Sequence, residues 1–414
     1  MKEKSYMVII PENQDDISPD KLKERLNSDN CINVLEYDEK TICYKIGIGQ
    51  REYIVRFALT PIEIPSYFRS VHLFTDLDFQ KINSIKLGIS VEMEYTDSFL
   101  DSYHDQLRII NCIMPDKLAV IDIPSEKLLS GKWVKLAAES EIPPAPKYLF
   151  TVQAVSDGSN EVWLHTHGLK RCGLSELEIL CSNKEMCNSH YYIIETIAVR
   201  MIENEMALEP YEPMFLAWLT DKVAMVATIV DWRKGLEFYP DAEIGKADDR
   251  DDYHAEGTSV IMLYLSPDDR DSKKLSKVQE LDEYLGQNTM FMVSTSETAR
   301  MRKLAQERID YVRRAAAEKD TNVLLKIGLH MDDEFIDPDR DEQEQREHIW
   351  FELKSIKKGL FNNKEVFEAE LTQDPYYVQG MKKGSIGKFE VSDITDWIIF
   401  ANKRRYSPDD VYMM

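Results

Sequence analysis

The apolar residues of this chain arrive in short runs broken by turn-forming residues, and that pattern most constrains the fold. The longest mostly apolar stretch, residues 223–230, falls far short of the roughly 20 residues a helix needs to cross a bilayer. The first run, residues 6–10, stops at Pro11 and is too short for the hydrophobic region of a signal peptide, so it reads as a first strand. A soluble, cytoplasmic protein with no membrane partner is expected. Short runs also mean several modest cores, and 414 residues point to two or three domains.

Periodicity predicts a multidomain α+β chain: two mixed α/β regions followed by a small SH3-like or barrel-like β module. Residues 1–145 form the first region. Ser18 before Pro19 suits a helix start. Alternation at Tyr44, Ile46 and Ile48, and again at Tyr53, Val55 and Phe57, suits a sheet with one buried face. A helix is predicted over 99–113 and a strand over 119–123. Pro143, Pro144 and Pro146 close the region. The second region, 146–320, opens with a hairpin whose turn is Ser156-Asp157-Gly158-Ser159-Asn160. Helices are predicted over 175–180, 190–207 and 273–285, and a long basic one over 297–319. Strands are predicted over 223–231 and 259–265. Residues 241–256 read as a solvated acidic loop. An acidic linker over 321–347 then leads to the β module, 348–414.

Charge excludes one class of partner. Lys and Arg number 51 against 74 Asp and Glu, a net charge of −23, and a phosphate-backbone binder needs clustered positive charge instead. Nucleic acid is not expected. With 43% hydrophobic and 10% aromatic residues the chain can still bury cores, so the acidity belongs to the surface of a folded protein. The six cysteines include no CxxC pair, and reduced thiols are expected. Asp248-Asp249-Arg250-Asp251-Asp252 lacks the glycine and terminal glutamate of a calcium loop.

One string stands above this background: His165-Thr166-His167, seven residues, Ser175, two residues, Glu178. The spacing resembles the metal motif of JAMM-type metallopeptidases, His-x-His, seven residues, Ser, two residues, Asp. The resemblance implies zinc held by His165, His167 and Glu178, with Ser175 steadying an oxyanion and an upstream glutamate as base; Glu126, Glu139 and Glu141 are the candidates. Two imidazoles and a carboxylate leave a fourth zinc position for a water that the metal acidifies. Glu178 stands where that pattern has Asp, and Gly168 where it commonly has Pro. Ser175 and Glu178 also fit a helix capping box, in which case the string is structural. No Walker A, GxGxxG, GxSxG or HExxH sequence occurs, so no other cofactor is expected.

Residues 148–179, with Glu161-Val162-Trp163-Leu164-His165-Thr166-His167-Gly168 and Cys172-Gly173-Leu174-Ser175-Glu176-Leu177-Glu178-Ile179, resemble the core of a bacterial family known only as a domain of unknown function. The C-terminal unit, with His348-Ile349-Trp350-Phe351-Glu352 and Asp396-Trp397-Ile398-Ile399, resembles a second such family. Neither resemblance implies a reaction. The leading expectation is a non-enzymatic protein that binds another, basic, protein, in the manner of an inhibitor or immunity protein. The competing one is a zinc-dependent hydrolase using His165, His167 and Glu178.

Overall fold

The computed structural model describes residues 3–40, 42–68, 74–285, 295–337, 345–358 and 364–414. Ser294, which with Glu297 three residues later reads as a capping box for the basic helix, lies outside the described residues. Helices and three mostly antiparallel sheets make the chain α+β. It divides into two compact units, residues 1–139 with 143–292, and 140–142 with 293–414. No helix among the described residues is long and apolar enough to cross a membrane.

The first unit holds two sheets. The first comprises β1 (Ser5–Pro11), β2 (Ile32–Asp38), β3 (Cys43–Ile48), β4 (Arg51–Pro61), β5 (Leu87–Met93), β6 (Lys117–Asp122) and β7 (Lys127–Ser130). They run in the order β2-β3-β4-β5-β1-β6-β7, antiparallel throughout. Tyr53, Val55 and Phe57 are buried while Glu52, Ile54 and Arg56 are exposed, the alternation read from the sequence. Helix α1 (Pro19–Ser28) starts on Ser18, whose hydroxyl accepts from the Lys21 amide, and packs against α2 (Phe99–Ile113), which lies on α3 (Gly131–Ala138).

The second sheet comprises β8 (Thr151–Val155), β9 (Glu161–His167), β10 (Glu176–Asn183), β11 (Met214–Trp218), β12 (Ala224–Asp231) and β13 (Thr258–Tyr264), in the order β11-β12-β13-β10-β9-β8. Only β10 and β13 pair in parallel. Helix α4 (Cys187–Glu203) packs on β9 and β10.

Here three expectations are corrected or cut back. The helix expected over 175–180 is instead the start of β10, from Glu176: Leu177 and Ile179 are fully buried, and β10 lies between β9 and β13 with partners on both edges. The acidic segment 241–256 keeps its carboxylates exposed, as expected, but is not a free loop. Ala242 and Ile244 pack with Trp163, Trp232 and Tyr239 in one cluster, and the segment lies over the β9 face that carries Trp163 and the histidines. The helix expected over 273–285 is an extended segment followed by two short turns, Val278–Leu281 and Asp282–Leu285.

The second unit is one antiparallel sheet: β14 (Asn322–His330), β15 (Arg346–Lys358), β16 (Glu365–Leu371), β17 (Ile386–Phe389), β18 (Ile394–Ala401) and β19 (Arg404–Tyr406), in the order β17-β16-β15-β14-β18-β19. Strand β14, pairing with both β15 and β18, is central to it. The expected linker over 321–347 therefore begins as a core strand, because Val323, Leu325 and Ile327 alternate inward beneath the acidic composition that follows. Within that range, residues 338–344 lie outside the described residues. The basic stretch forms two helices, α5 (Thr295–Glu307) and α6 (Ile309–Ala317), broken at Arg308. Two of its cations are held by carboxylates: Arg300 by Glu297 and Asp409, Arg313 by Asp310 and Glu365. Trp397 is fully buried and donates its indole N–H to the Ala305 carbonyl at 2.9 Å, joining β18 to α5.

Candidate metal centre

Residues two apart on a strand share a face. His165 and His167, at the end of β9, therefore project together, and the segment above them adds His254. One ligand atom from each of the three lies within 4.8 Å of the others, and all three side chains are buried. Their rings meet edge to face, with centroids 4.6–5.1 Å apart. Such packing leaves nitrogens without partners. His165 Nδ1 and His254 Nε2 are buried with no hydrogen-bond partner among the described residues, a state native proteins rarely tolerate without an ion, a water or a catalytic use.

Electrostatics keep these imidazoles neutral. Burial, reinforced by the neighbouring rings and Arg250, holds His165 well below the usual imidazole value; burial and His254 push His167 down to about 3; burial also lowers His254. A neutral imidazole is the form that ligates a metal. Asp251 accepts from His254 Nδ1 at 2.7 Å, fixing the tautomer that leaves Nε2 directed at the other two rings. That carboxylate-to-histidine arrangement is the usual outer support of a metal-bound imidazole.

A carboxylate from the first sheet completes the surroundings. Glu126, in the turn between β6 and β7, places Oε2 3.6 Å from His167 Nε2. Gln153 Nε2 donates to it at 2.5 Å, and the Tyr67 hydroxyl at 3.4 Å. Its backbone lies in the left-handed region, φ +53°, which is uncommon outside glycine. Burial raises its carboxyl above the ordinary glutamate value. Of the three glutamates named from sequence, the structure brings Glu126 to the histidines.

The other residues of the motif are placed elsewhere. Glu178 accepts from Arg250 Nη2 at 2.7 and 2.9 Å and from the Trp163 indole at 2.9 Å, so its carboxylate is committed to holding the segment that carries His254. It is not among the three clustered ligands. Ser175 Oγ bonds the Gly257 carbonyl and Ser259 Oγ at the start of β10, a tie between β10 and β13. Glu176 accepts from the Gly168 and Lys170 amides and from the hydroxyls of Thr166 and Tyr253. Gly168 has φ +113°, and a Cβ there would lie 2.8 Å from the Leu149 carbonyl oxygen, so only glycine fits where the resembled pattern carries proline.

A second constellation was not foreseen. Ser182 Oγ lies 2.8 Å from His190 Nδ1, and His190 Nε2 2.8 Å from Asp282 Oδ1. These are the separations of a nucleophilic triad, yet Ser182 is 1% and His190 0% exposed. The three residues tie β10, α4 and the turn at Asp282 together as a buried polar bridge.

An α+β chain with a buried histidine cluster on its second sheet, and a carboxylate from the first beside it, defines the class. Residues 5–144 match the family described as "Protein of unknown function (DUF4026) N-terminal", and residues 152–262 its C-terminal counterpart. The two halves follow in order over more than half of the chain, which belongs to that family. Between them the matches contain Glu126, His165, His167, Asp251 and His254. No curated protein matches the chain, and no solved structure does.

Proposed function

We propose that His165, His167 and His254 hold one transition-metal ion, zinc by donor type, and that the centre activates water for hydrolysis. The observation that carries this reading is the convergence of three buried, neutral imidazoles with two unpartnered ring nitrogens. Three histidines suit zinc with a fourth, open position. Nitrogens on a tetrahedral zinc stand about 3.3 Å apart, so ring rotation must draw the cluster together from its present spread. The hydrolase expected from the sequence motif thus takes a different third ligand, His254 in place of Glu178.

Glu126 supplies the base. Were a metal held by His165, His167 and His254, it would supply an acidified water. The Glu126 carboxylate would take a proton from that water as its oxygen adds to a carbonyl carbon, and would return the proton to the departing heteroatom, ending as it began. General-base assistance of this kind contributes about 10²–10⁴-fold. The expectation of a non-enzymatic binder rested on net charge and the small C-terminal β module, and the histidine cluster favours the metal reading over it.

Metal content of protein purified without a polyhistidine tag tests the centre. About one equivalent of zinc is expected, falling to background in His254→Ala, with affinity reduced about 10–100-fold in Asp251→Ala. Below a tenth of an equivalent, with no uptake on addition, the centre is absent. Glu126→Gln is expected to keep the metal and lose hydrolysis.

A further inference from the structure

One turn of the second unit concentrates positive charge on this acidic chain. Strands β18 and β19 are joined by Asn402 and Lys403, and Arg404 and Arg405 follow at once. All four residues are exposed, and the side chains of Lys403, Arg404 and Arg405 make no ion pair or hydrogen bond among the described residues. Asn402 and Lys403 have φ +52° and +62°, the two left-handed residues that a two-residue hairpin turn of this kind requires. Asparagine suits such a turn, but its second position favours glycine, so the lysine is kept there at a cost in strain.

Strand register sets three side chains in a row beside this turn. Phe400 pairs with Asn322 on one side and with Arg405 on the other. Cross-strand partners share a face, so an amide, an aromatic ring and a guanidinium stand side by side. The ring is not packed away: Phe400 is 39% exposed. A cavity of about 510 Å³ lies here, and Asp320, Asn322, Phe400, Lys403, Arg404 and Arg405 are among its lining residues. Small-molecule sites have this size.

Successive cations at one turn suit a compact anion of more than one charge, which a guanidinium meets with paired hydrogen bonds. An acidic peptide instead spreads its charges along the chain, about 3.3 Å per residue, and its carboxylates do not call for an exposed ring. A ring and an amide in one row suit the face and the edge of a nucleobase. Asp320, an unfavourable neighbour for phosphate, is an acceptor for sugar hydroxyls.

We propose that this end of the second unit binds a nucleoside diphosphate, its phosphates on Lys403, Arg404 and Arg405 and its base on Phe400. The site is independent of the histidine cluster.

Titration calorimetry of the full chain with ADP, adenosine and inorganic pyrophosphate tests it, in magnesium-free buffer at low ionic strength. ADP is expected to bind at least about tenfold more tightly than either fragment, and more weakly as salt is added. Phe400→Leu should weaken ADP about tenfold and leave pyrophosphate unchanged, whereas Arg405→Gln should weaken both. Lys403→Gly relaxes the turn, and should raise the thermal midpoint of the second unit while lowering ADP affinity. Circular dichroism of each variant checks that it folds. Pyrophosphate binding as tight as ADP, ADP affinity untouched by Phe400→Leu, or tighter binding of hexaglutamate than of ADP overturns the proposal, as does the absence of ADP binding.

Discussion

At the scale of single residues, the chain places ionisable groups where burial dominates their behaviour, and Asp396 in the second unit makes this measurable. It sits on β18 opposite Lys326, accepts from the Trp397 amide, and is pushed up to about 6 by burial, with Arg300 and Lys326 opposing and Asp409 assisting the rise. An acid whose folded value is raised stabilises the fold below its ordinary value, near 3.8, and loses that contribution as pH climbs through 6. Between pH 4 and 6, Asp396→Asn should therefore remove a loss on the order of 2 kcal/mol that the native chain suffers. Urea midpoints of the second unit at pH 4.5 and 7 check it: parallel pH profiles for both proteins would show that Asp396 does not titrate with folding. Residue identity was also where the candidate metal centre was most legible. Two histidines two positions apart, His165 and His167, are visible in any reading of the chain. Glu178 misled because its carboxylate, correctly spaced for a ligand, is claimed by Arg250 from a distant segment, and no local pattern announces that.

At the scale of elements, the β6–β7 turn and the turn after β9 are locked by a buried ion pair. Arg171 meets Asp122 at 2.8 and 3.0 Å, both side chains fully buried, and its guanidinium faces the rings of Tyr95 and Tyr103. Asp122 lies four residues before Glu126, and Arg171 four after His167, so the pair sets the distance between the carboxylate and the histidines. Arg171→Met leaves Asp122 buried and unpaired and should cost about 3–5 kcal/mol; adding Asp122→Leu should recover part of it. Urea unfolding of the two variants and the native chain decides this, and no recovery in the double variant would show that the pair acts through more than its charges. Elements were only half legible beforehand. Alternation at 44–48 and 53–57 yielded β3 and β4 directly, because one face of each is buried and the other wet. Ser175-Glu176-Leu177-Glu178 fits a helix cap and a buried strand equally well on local grounds. The choice is made by neighbours 80 residues on, where β13 offers a parallel edge.

At the scale of the whole molecule, the two compact units need not respond alike to an ion that binds one of them. If zinc occupies the histidine cluster, excess metal should raise the melting of the first unit alone, by about 2.7 kcal/mol at one hundred times the dissociation constant. Calorimetry with and without zinc reads this. A shift confined to the second unit would place the metal elsewhere. The net charge of −23 is a property of both units, and the acidic residues that matter most to the centre, Glu126 and Asp251, were unremarkable within it. Third-ligand histidines of this sort stay hidden in a sequence because nothing but the completed fold relates residue 254 to residue 165.

The cluster draws its groups from both family halves: the carboxylate from the first sheet, two rings from a strand of the second, and the last ring from a segment folded over it. During synthesis the third ring is also the last to leave the ribosome. If the cluster holds an ion as proposed, a chain interrupted before residue 254 would lack one of its three rings, and metal occupancy would separate longer chains from shorter ones.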